Sequence, residues 1–311
     1  MSDCLIVSGT AREFAEEISR TADNPVSCEV CTSASEALAR YSGQSVLFGN
    51  PDMVASILRK LPAVEWVQST WAGVKPLTMV DRRDYVLTGV KEVFGSQISE
   101  YVMGYLLAHE LRLLERMQQQ RTRHWFTKSS GLLQGKRLGV MGTGSIGSHV
   151  AQTARAFSVK VAGLNSSGAS APAFDEVLPA AQLHDFLDGL DYLVSTLPQT
   201  TGTDNLLDET AFATLPSHAF FINVGRGNVV DDRALINALQ NDELGGTALD
   251  VFDVEPLPQD SPLWDTPKLS ITAHIAAISH PSLIVPIFLE NYRRYSRGEA
   301  LQFVVDLDKG Y

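Results

Sequence analysis

"RLGVMGTGSIGSHVAQTARAF", Arg137 to Phe157, is a short apolar run, then a knot of glycines, then an amphipathic helical pattern. Each glycine of the G-x-G-x-x-G has a mechanical task in a dinucleotide site. Gly142 permits a tight turn, Gly144 lets a pyrophosphate approach the backbone, and Gly147 lets helix and strand pack closely. The helix that opens there offers unpaired N–H groups and the positive end of its dipole to the phosphates. Such a motif alone is weak. Here "VKVAGL" (Val159–Leu164) follows as a second strand and completes the βαβ unit that the motif requires. The stretch therefore predicts a parallel α/β domain that holds a dinucleotide.

The residues after that second strand bear on which dinucleotide. A site for NAD usually places Asp or Glu there, on the adenine-ribose 2′-hydroxyl. This strand runs instead into Asn165, Ser166, Ser167 and Gly168. With no carboxylate there is no repulsion against a 2′-phosphate, and two hydroxyls can donate to it. No Lys or Arg follows between Ser166 and Asp191 to complete a phosphate clamp. NADP(H) is the favoured cofactor and NAD(H) the alternative.

Working outward, apolar runs alternate with helical segments almost from the start. "CLIVSG" (Cys4–Gly9), "SVLFGN" (Ser45–Asn50) and "VEWVQST" (Val64–Thr70) read as strands. "AREFAEEISR" (Ala11–Arg20) and "PDMVASILRKL" (Pro51–Leu61) read as helices, the latter with Pro in its first turn. Such alternation predicts a second parallel sheet covered on both faces. From Ser96 to Gln120 the pattern predicts one long helix, apolar nearly all round in its middle, as expected between domains or subunits. The last helical pattern, Ser282 to Ala300, has no long strand after it and can pack back onto the first domain. The expected architecture is α/β, with two Rossmann-like or flavodoxin-like parallel-sheet domains and an active site in the cleft between them. Residues 1–100 plus 283–311 would form a discontinuous substrate domain, and residues 101–282 the dinucleotide-binding domain.

Composition narrows the function classes. The chain has 311 residues, 44% of them hydrophobic, and a net charge of −11. Its mean hydropathy is −0.01 and its pI about 5.1. A surface this acidic repels a phosphate backbone, which argues against a nucleic-acid partner but not against small anions. No apolar run reaches the roughly 18 residues of a membrane span, and "MSDCLIVSGT" lacks the basic start of a secretory signal. A cytoplasmic enzyme or binding protein is expected. Cys28 and Cys31 form a CxxC, but no later Cys supplies the second pair of a structural zinc site, so no metal is expected. Reduced structural thiols are the simplest reading and a redox pair the alternative.

Three further stretches carry candidate chemistry. "FFINVGRGNVVDDRAL" (Phe220–Leu235) is an apolar strand that ends in Gly225-Arg226-Gly227, with a helix capped by Asp231 or Asp232. An arginine between glycines at a strand's carboxyl end sits where open α/β sheets bind ligands, and its fork matches a carboxylate. "GGTALDVFDVEPLP" (Gly245–Pro258) carries Asp250 and then Glu255, which by itself is only a loop acid held extended by the following proline. "LSITAHIAAIS" (Leu269–Ser279) reads as a buried apolar element around His274, and read alone it favours a packed core histidine.

Together these pieces resemble the D-isomer-specific 2-hydroxyacid dehydrogenase family over essentially the whole chain. The resemblance rests on "WVQSTWAGV", "ISEY", "LQGKRLGVMGTGSIG", "STLPQTTGT", "NVGRG", "ALDVFDVEPLP" and "AHIAAIS". The last stretches are worded most like the glyoxylate/hydroxypyruvate reductase branch. It implies NAD(P)H-dependent reduction of a small 2-keto acid to the D-2-hydroxy acid by a homodimer. Arg226 would hold the substrate carboxylate, His274 would be the acid/base and Glu255 its partner; Gly73 and Val74 would offer backbone N–H groups to the substrate. Around the cofactor the resemblance implies Gly142, Gly144, Ser145, Ile146 and Gly147, then Asn165, Ser166 and Ser167. Beyond these it implies Leu197, Pro198, Val224, Gly225, Arg226, Asp250 near the nicotinamide carboxamide, and His274. Two residues after the histidine the family commonly has Gly, where this chain has Ala276. Rival expectations are a weakly active or inactive dinucleotide-sensing regulator of the same fold, or the same chemistry on formate or phosphite. Burial of His274 among small apolar neighbours would make a dry reaction site.

Overall fold

Apolar tetrads spaced through the first ninety residues become strands of a parallel sheet, and helices cover both of its faces. A computed structural model describes residues 4–23 and 25–307. The chain divides into two compact units, Met1–Val93 with Ser279–Tyr311, and Phe94–Ile278.

In the first unit β1 (Cys4–Val7), β2 (Cys28–Cys31), β3 (Val46–Gly49), β4 (Trp66–Ser69) and β5 (Val86–Thr88) lie in the order β2-β1-β3-β4-β5. Every pairing is parallel. Strands β1, β3 and β4 are buried throughout, which explains why β1 and β3 are apolar along their length and do not alternate. The connecting helices are α1 (Ala11–Thr21), α2 (Ala34–Arg40), α3 (Pro51–Ile57) and α4 (Lys75–Thr78). Helix α3 ends earlier than the expected Leu61 and continues as a 3₁₀ turn over Leu58–Lys60.

The second unit opens with α5 (Gly95–Glu110) and α6 (Leu113–Arg121). Its sheet contains β6 (Arg137–Met141), β7 (Lys160–Asn165), β8 (Glu176–Pro179), β9 (Tyr192–Ser195), β10 (Phe220–Asn223), β11 (Gly246–Leu249) and β12 (Leu269–Ile271). Their order is β12-β11-β10-β9-β6-β7-β8, all parallel. The strand order reverses at β6 beside β9, the switch point where doubly wound sheets hold ligands. Helices α7 (Ser145–Arg155), α8 (Leu183–Leu187), α9 (Glu209–Thr214) and α10 (Asp232–Gln240) join the strands. The cap of α10 is Asp231, whose carboxylate accepts from the N–H groups of Arg233 and Ala234. The last helix, α11 (Pro281–Ser296), belongs to the first unit, whose chain is therefore discontinuous.

Three expectations need correction. The helix predicted from Ser96 to Gln120 is broken: Arg112 takes a left-handed conformation (φ +52°) between α5 and α6. Its guanidinium bonds Ser129 O and the Glu115 carboxylate, and these fix the turn. The unit boundaries fall at Val93/Phe94 and Ile278/Ser279, not at 100/101 and 282/283. The reason is that α5 packs along α7 over its length and moves into the second unit whole. Finally, strand β12 stops at Ile271, so the apolar run through His274 is mostly loop.

The CxxC lies on strand β2. Three residue steps of roughly 3.3 Å set the Cα atoms of Cys28 and Cys31 about 10 Å apart, beyond the ~7 Å limit for a disulfide. Burial, helped by the charges of Glu36 and Glu29, pushes the Cys31 thiol up to about 11. Both observations oppose a redox pair. Among the described residues no helix is long and apolar enough to cross a membrane.

Helix α11 is held to the first sheet by aromatic packing. The ring of Phe288 stacks on Phe48 with centroids 4.5 Å apart and on Trp66 at 5.6 Å, and all three side chains are fully buried. Asn291 adds hydrogen bonds to Gln68 Oε1 and Gln302 O, 3.1 Å each. Phe288→Ala should destabilise this unit by about 3–5 kcal/mol, read from its urea unfolding transition. A cost below about 1 kcal/mol would show that the helix is a peripheral attachment.

Candidate active site

Since all seven strands of the second sheet run one way, their carboxyl ends share one edge. The candidate residues of this unit emerge along it. After β6 the chain turns at Gly142, whose φ of +99° disfavours any residue with a Cβ. At Gly147 a Cβ would meet Gly142 O at 1.9 Å, so the helix could not approach the turn. Gly144 differs: a Cβ there meets nothing within 4 Å, so the backbone faces open space. No side chain caps α7 at Gly144. Its first turn, Ser145, Ile146 and Gly147, therefore presents unbonded amides towards that space, a cradle that fits a pyrophosphate.

At the end of β7 the structure separates three residues that the sequence grouped. Asn165 Oδ1 accepts from the N–H groups of Ser167 (3.1 Å) and Gly168 (2.7 Å). Its amide donates to Thr143 Oγ1 and Ala169 O, both at 2.9 Å. Asn165 thus organises the loop, and its side chain has little left for a ligand. Ser167 Oγ accepts from Ala169 N at 3.3 Å. Ser166 is exposed.

Past β9, the Thr196 hydroxyl bonds Met141 O and Gly142 O, so the half-buried Leu197 and exposed Pro198 start from a fixed point beside the glycine turn. Strand β10 ends in Asn223, which is fully buried. Its Oδ1 accepts from Gly225 N–H at 3.1 Å and its amide donates to Arg226 O at 2.9 Å. This one side chain shapes the Val224–Gly225–Arg226 loop. The guanidinium of Arg226 donates to Gly225 O at 2.6 Å. No carboxylate stands within salt-bridge distance of it among the described residues. Burial lowers its pKa, and the charge of Glu255 opposes that shift. A half-buried guanidinium without a bonded counter-ion is suited to an incoming anion.

Glu255 and His274 come together as the sequence reading required. Nδ1 of His274 lies 2.8 Å from Glu255 Oε2, and Glu255 Oε1 accepts from Phe252 N–H at 2.9 Å. The carboxylate is thus anchored on one side and fixes the imidazole on the other. Nε2 of His274 has no hydrogen-bond partner among the described residues. The Glu255–Pro256 peptide is cis. One expectation fails here. His274 lies beyond β12 in a left-handed conformation (φ +55°). Its side chain is 47% exposed, not walled in by the apolar neighbours; Ile275 points out as well, at 58%.

Asp250, at the end of β11, is 2% exposed. Its carboxylate accepts from Thr272 Oγ1 (2.6 Å) and from the N–H groups of Ile275 and Ala276 (2.9 Å each). Three of its roughly four acceptor directions are therefore engaged within the protein. Gly73 and Val74 lie in the first unit, in the turn between β4 and α4. Ser69 Oγ accepts from Trp71 N–H there at 3.0 Å. Phe48, on β3, is fully buried core, and residues 96–101 form the first turns of α5, as the helical pattern from Ser96 predicts. Asn223 and Thr272 were missed as site-shaping residues. The one available signal was a polar residue closing each of two apolar strand runs, "FFIN" and "LSIT".

Comparison with known proteins identifies the family. The sequence profile of the D-isomer specific 2-hydroxyacid dehydrogenase NAD binding domain matches residues 103–276. Glyoxylate/hydroxypyruvate reductase A of Klebsiella pneumoniae (strain 342) is 31% identical over 217 residues, 70% of each chain. Its counterpart from Serratia proteamaculans (strain 568) is 33% identical over 70% of this chain and 69% of its own. The crystal structure of a D-isomer specific 2-hydroxyacid dehydrogenase family protein from Aeromonas salmonicida superposes with a TM-score of 0.94. That pair is 36% identical, over 99% of this chain and 100% of the other. An NADPH-dependent glyoxylate/hydroxypyruvate reductase from Sinorhizobium meliloti, in complex with NADP and sulfate, gives 0.87 at 27% identity over 99% and 100%. With a profile match across the whole second sheet and likeness along the full length, this chain belongs to the D-isomer specific 2-hydroxyacid dehydrogenase family.

Proposed function

We propose that this protein reduces a small 2-keto acid of the glyoxylate/hydroxypyruvate type to the D-2-hydroxy acid, with NADP(H) as its cofactor. The observation that carries the reading is the His274–Glu255 pair at 2.8 Å, on the same sheet edge as an Arg226 that lacks a bonded carboxylate. The nicotinamide, when bound, supplies the hydride. His274 holds the proton at Nε2 and gives it to the carbonyl oxygen, while Glu255 fixes the ring through Nδ1. Arg226 holds the substrate carboxylate in two parallel hydrogen bonds. Left-handed backbone and partial exposure at His274 suit a group that must meet a diffusing substrate.

The cofactor would lie along the strand ends. Gly142, Gly144, Ser145, Ile146 and Gly147 would take the pyrophosphate, with Leu197, Pro198, Val224 and Gly225 beside the rest of the molecule. Asp250 keeps one acceptor direction for the carboxamide. Ser166 and Ser167, with no carboxylate nearby, would take the 2′-phosphate, and Asn165 would only shape their loop. The NADP and NADPH complexes of similar family structures support this preference.

We also propose a homodimer, on a different surface from the one that the sequence pointed to. Helix α5 buries Ile98, Val102, Met103 and Leu106. The exposed apolar side chains follow it: Leu114 is 67% exposed, Met117 55%, Trp125 90% and Leu132 73%. Exposed apolar side chains concentrated in one stretch of chain suit an interface.

His274→Ala should lower kcat by about 10²–10⁴-fold while NADPH affinity is kept; wild-type turnover on every accepted keto acid would sink the assignment. Arg226→Gln should act chiefly on the keto-acid KM, raising it by about tenfold or more through loss of a charged hydrogen bond. NADPH should bind more tightly than NADH in fluorescence titrations. Gly144→Ala, whose added Cβ would meet no protein atom within 4 Å, should keep the fold and weaken binding of both nucleotides. Sedimentation should find a dimer that Trp125→Asp combined with Leu114→Asp converts to monomer.

A further inference from the structure

Positive φ at His274 is unfavourable for a residue with a Cβ and persists only where the surroundings over-determine it. Five hydrogen bonds do so. His274 N–H donates to Asp250 O at 2.8 Å. The Asp250 carboxylate holds the next two amides, Ile275 through Oδ1 and Ala276 through Oδ2. Thr272, two residues before the histidine, gives its single hydroxyl hydrogen to Asp250 Oδ1 at 2.6 Å. Its oxygen must then accept at 2.7 Å from the hydroxyl of Tyr101, on α5. Burial keeps that phenol well above its ordinary range, so it remains a donor.

The far end of the loop is tied to the same helix. Gln97 donates from Nε2 to Ile278 O and accepts at Oε1 from Ile278 N–H, each at 3.0 Å. An amide side chain thereby copies a backbone pairing one turn before Tyr101. Helix α5 and the end of β11 grip the segment Thr272–Ile278 at both of its ends and at its centre.

We propose that Tyr101, Thr272, Asp250 and Gln97 form a clamp that sets the backbone of His274 and so aims its imidazole at the substrate. They are positioning residues: in this role they act through His274, and Asp250 has few acceptor directions left for anything else. The inference rests on the reductase reading for its catalytic consequence, but the clamp itself is a statement about the loop. A small misplacement of a proton donor can cost far more in rate than in stability.

The test uses the full chain and the variants Thr272→Val, Thr272→Ser and Tyr101→Phe, with Gln97→Ala for the far end. Valine keeps the branched shape of threonine and removes the hydroxyl; serine keeps the hydroxyl. In Thr272→Val, hydrogen exchange at the Ile275 and Ala276 amides should speed up about tenfold, as expected for loss of a hydrogen bond to a charged group. Its kcat with the best keto acid should fall about tenfold, with NADPH affinity within about twofold. Thr272→Ser should restore both, and Tyr101→Phe added to Thr272→Val should make neither worse, because the chain is already broken. Gln97→Ala should speed exchange at Ile278. Unchanged exchange at Ile275 and Ala276 in both Thr272→Val and Tyr101→Phe would overturn the clamp, whatever the activity. Faster exchange with undiminished kcat would overturn the positioning role. A fall in Tm and in nucleotide affinity that serine does not rescue would make the cluster merely structural. A wild-type protein that reduces no keto acid would remove the reductase reading, and the exchange rates would still decide whether the clamp exists.

Discussion

Parallel strands place every carboxyl end on one edge of a sheet, and the chemistry of this protein depends on that constraint. The glycine turn follows β6, the Arg226 loop β10, Asp250 β11 and His274 β12. These residues span more than a hundred positions of sequence, yet the common strand direction gathers them without any contact between them having to do so. Helices must then cover both faces, which is why strands β6, β9, β10 and β11 are buried along nearly their whole length and do not alternate. The edge is left to loops, where polar groups can be satisfied by one another or by a ligand.

Along that edge the polar groups sort into two kinds. Asn165, Asn223 and Asp250 have most of their hydrogen-bonding capacity taken up by neighbouring backbone. They shape loops. Arg226, Ser166 and His274 Nε2 keep capacity in reserve. Burying a donor or acceptor without a partner is costly, so reserve capacity at a half-buried guanidinium or an exposed imidazole is where an external anion or carbonyl can add favourable interactions. The difference between the two kinds is not one of residue type: an aspartate here is a strut, and a glutamate five residues later is bonded to the ring of His274.

Much of this was legible from residue order. The glycine spacing and its flanking patterns implied the dinucleotide-binding sheet, and Arg226, Glu255 and His274 followed strands in the places where such sheets put ligand groups. Local pattern failed where a nonlocal contact overrode it. Apolar periodicity runs straight through Arg112, but hydrogen bonds to Ser129 and Glu115 turn the chain there. The run "SITAHIAAIS" looks like a strand, yet Asp250 draws the amides of Ile275 and Ala276 away from any ladder. Phe48 sits at a strand end that could have faced a pocket; Phe288, some 240 positions later, covers it.

By itself, then, the sequence determined what local chemistry and strand periodicity can encode: two parallel α/β halves, a glycine turn with the spacing of a dinucleotide site, and an arginine, a glutamate and a histidine placed after strands of one sheet. Tertiary structure alone decided that His274 is a left-handed, partly exposed loop residue, that Asp250 and Asn165 are braces, and that the long helix ends at Glu110. Those outcomes depend on which hydrogen-bond donors meet which acceptors across many residues of chain. No residue carries that information until the sheet has brought its strand ends together.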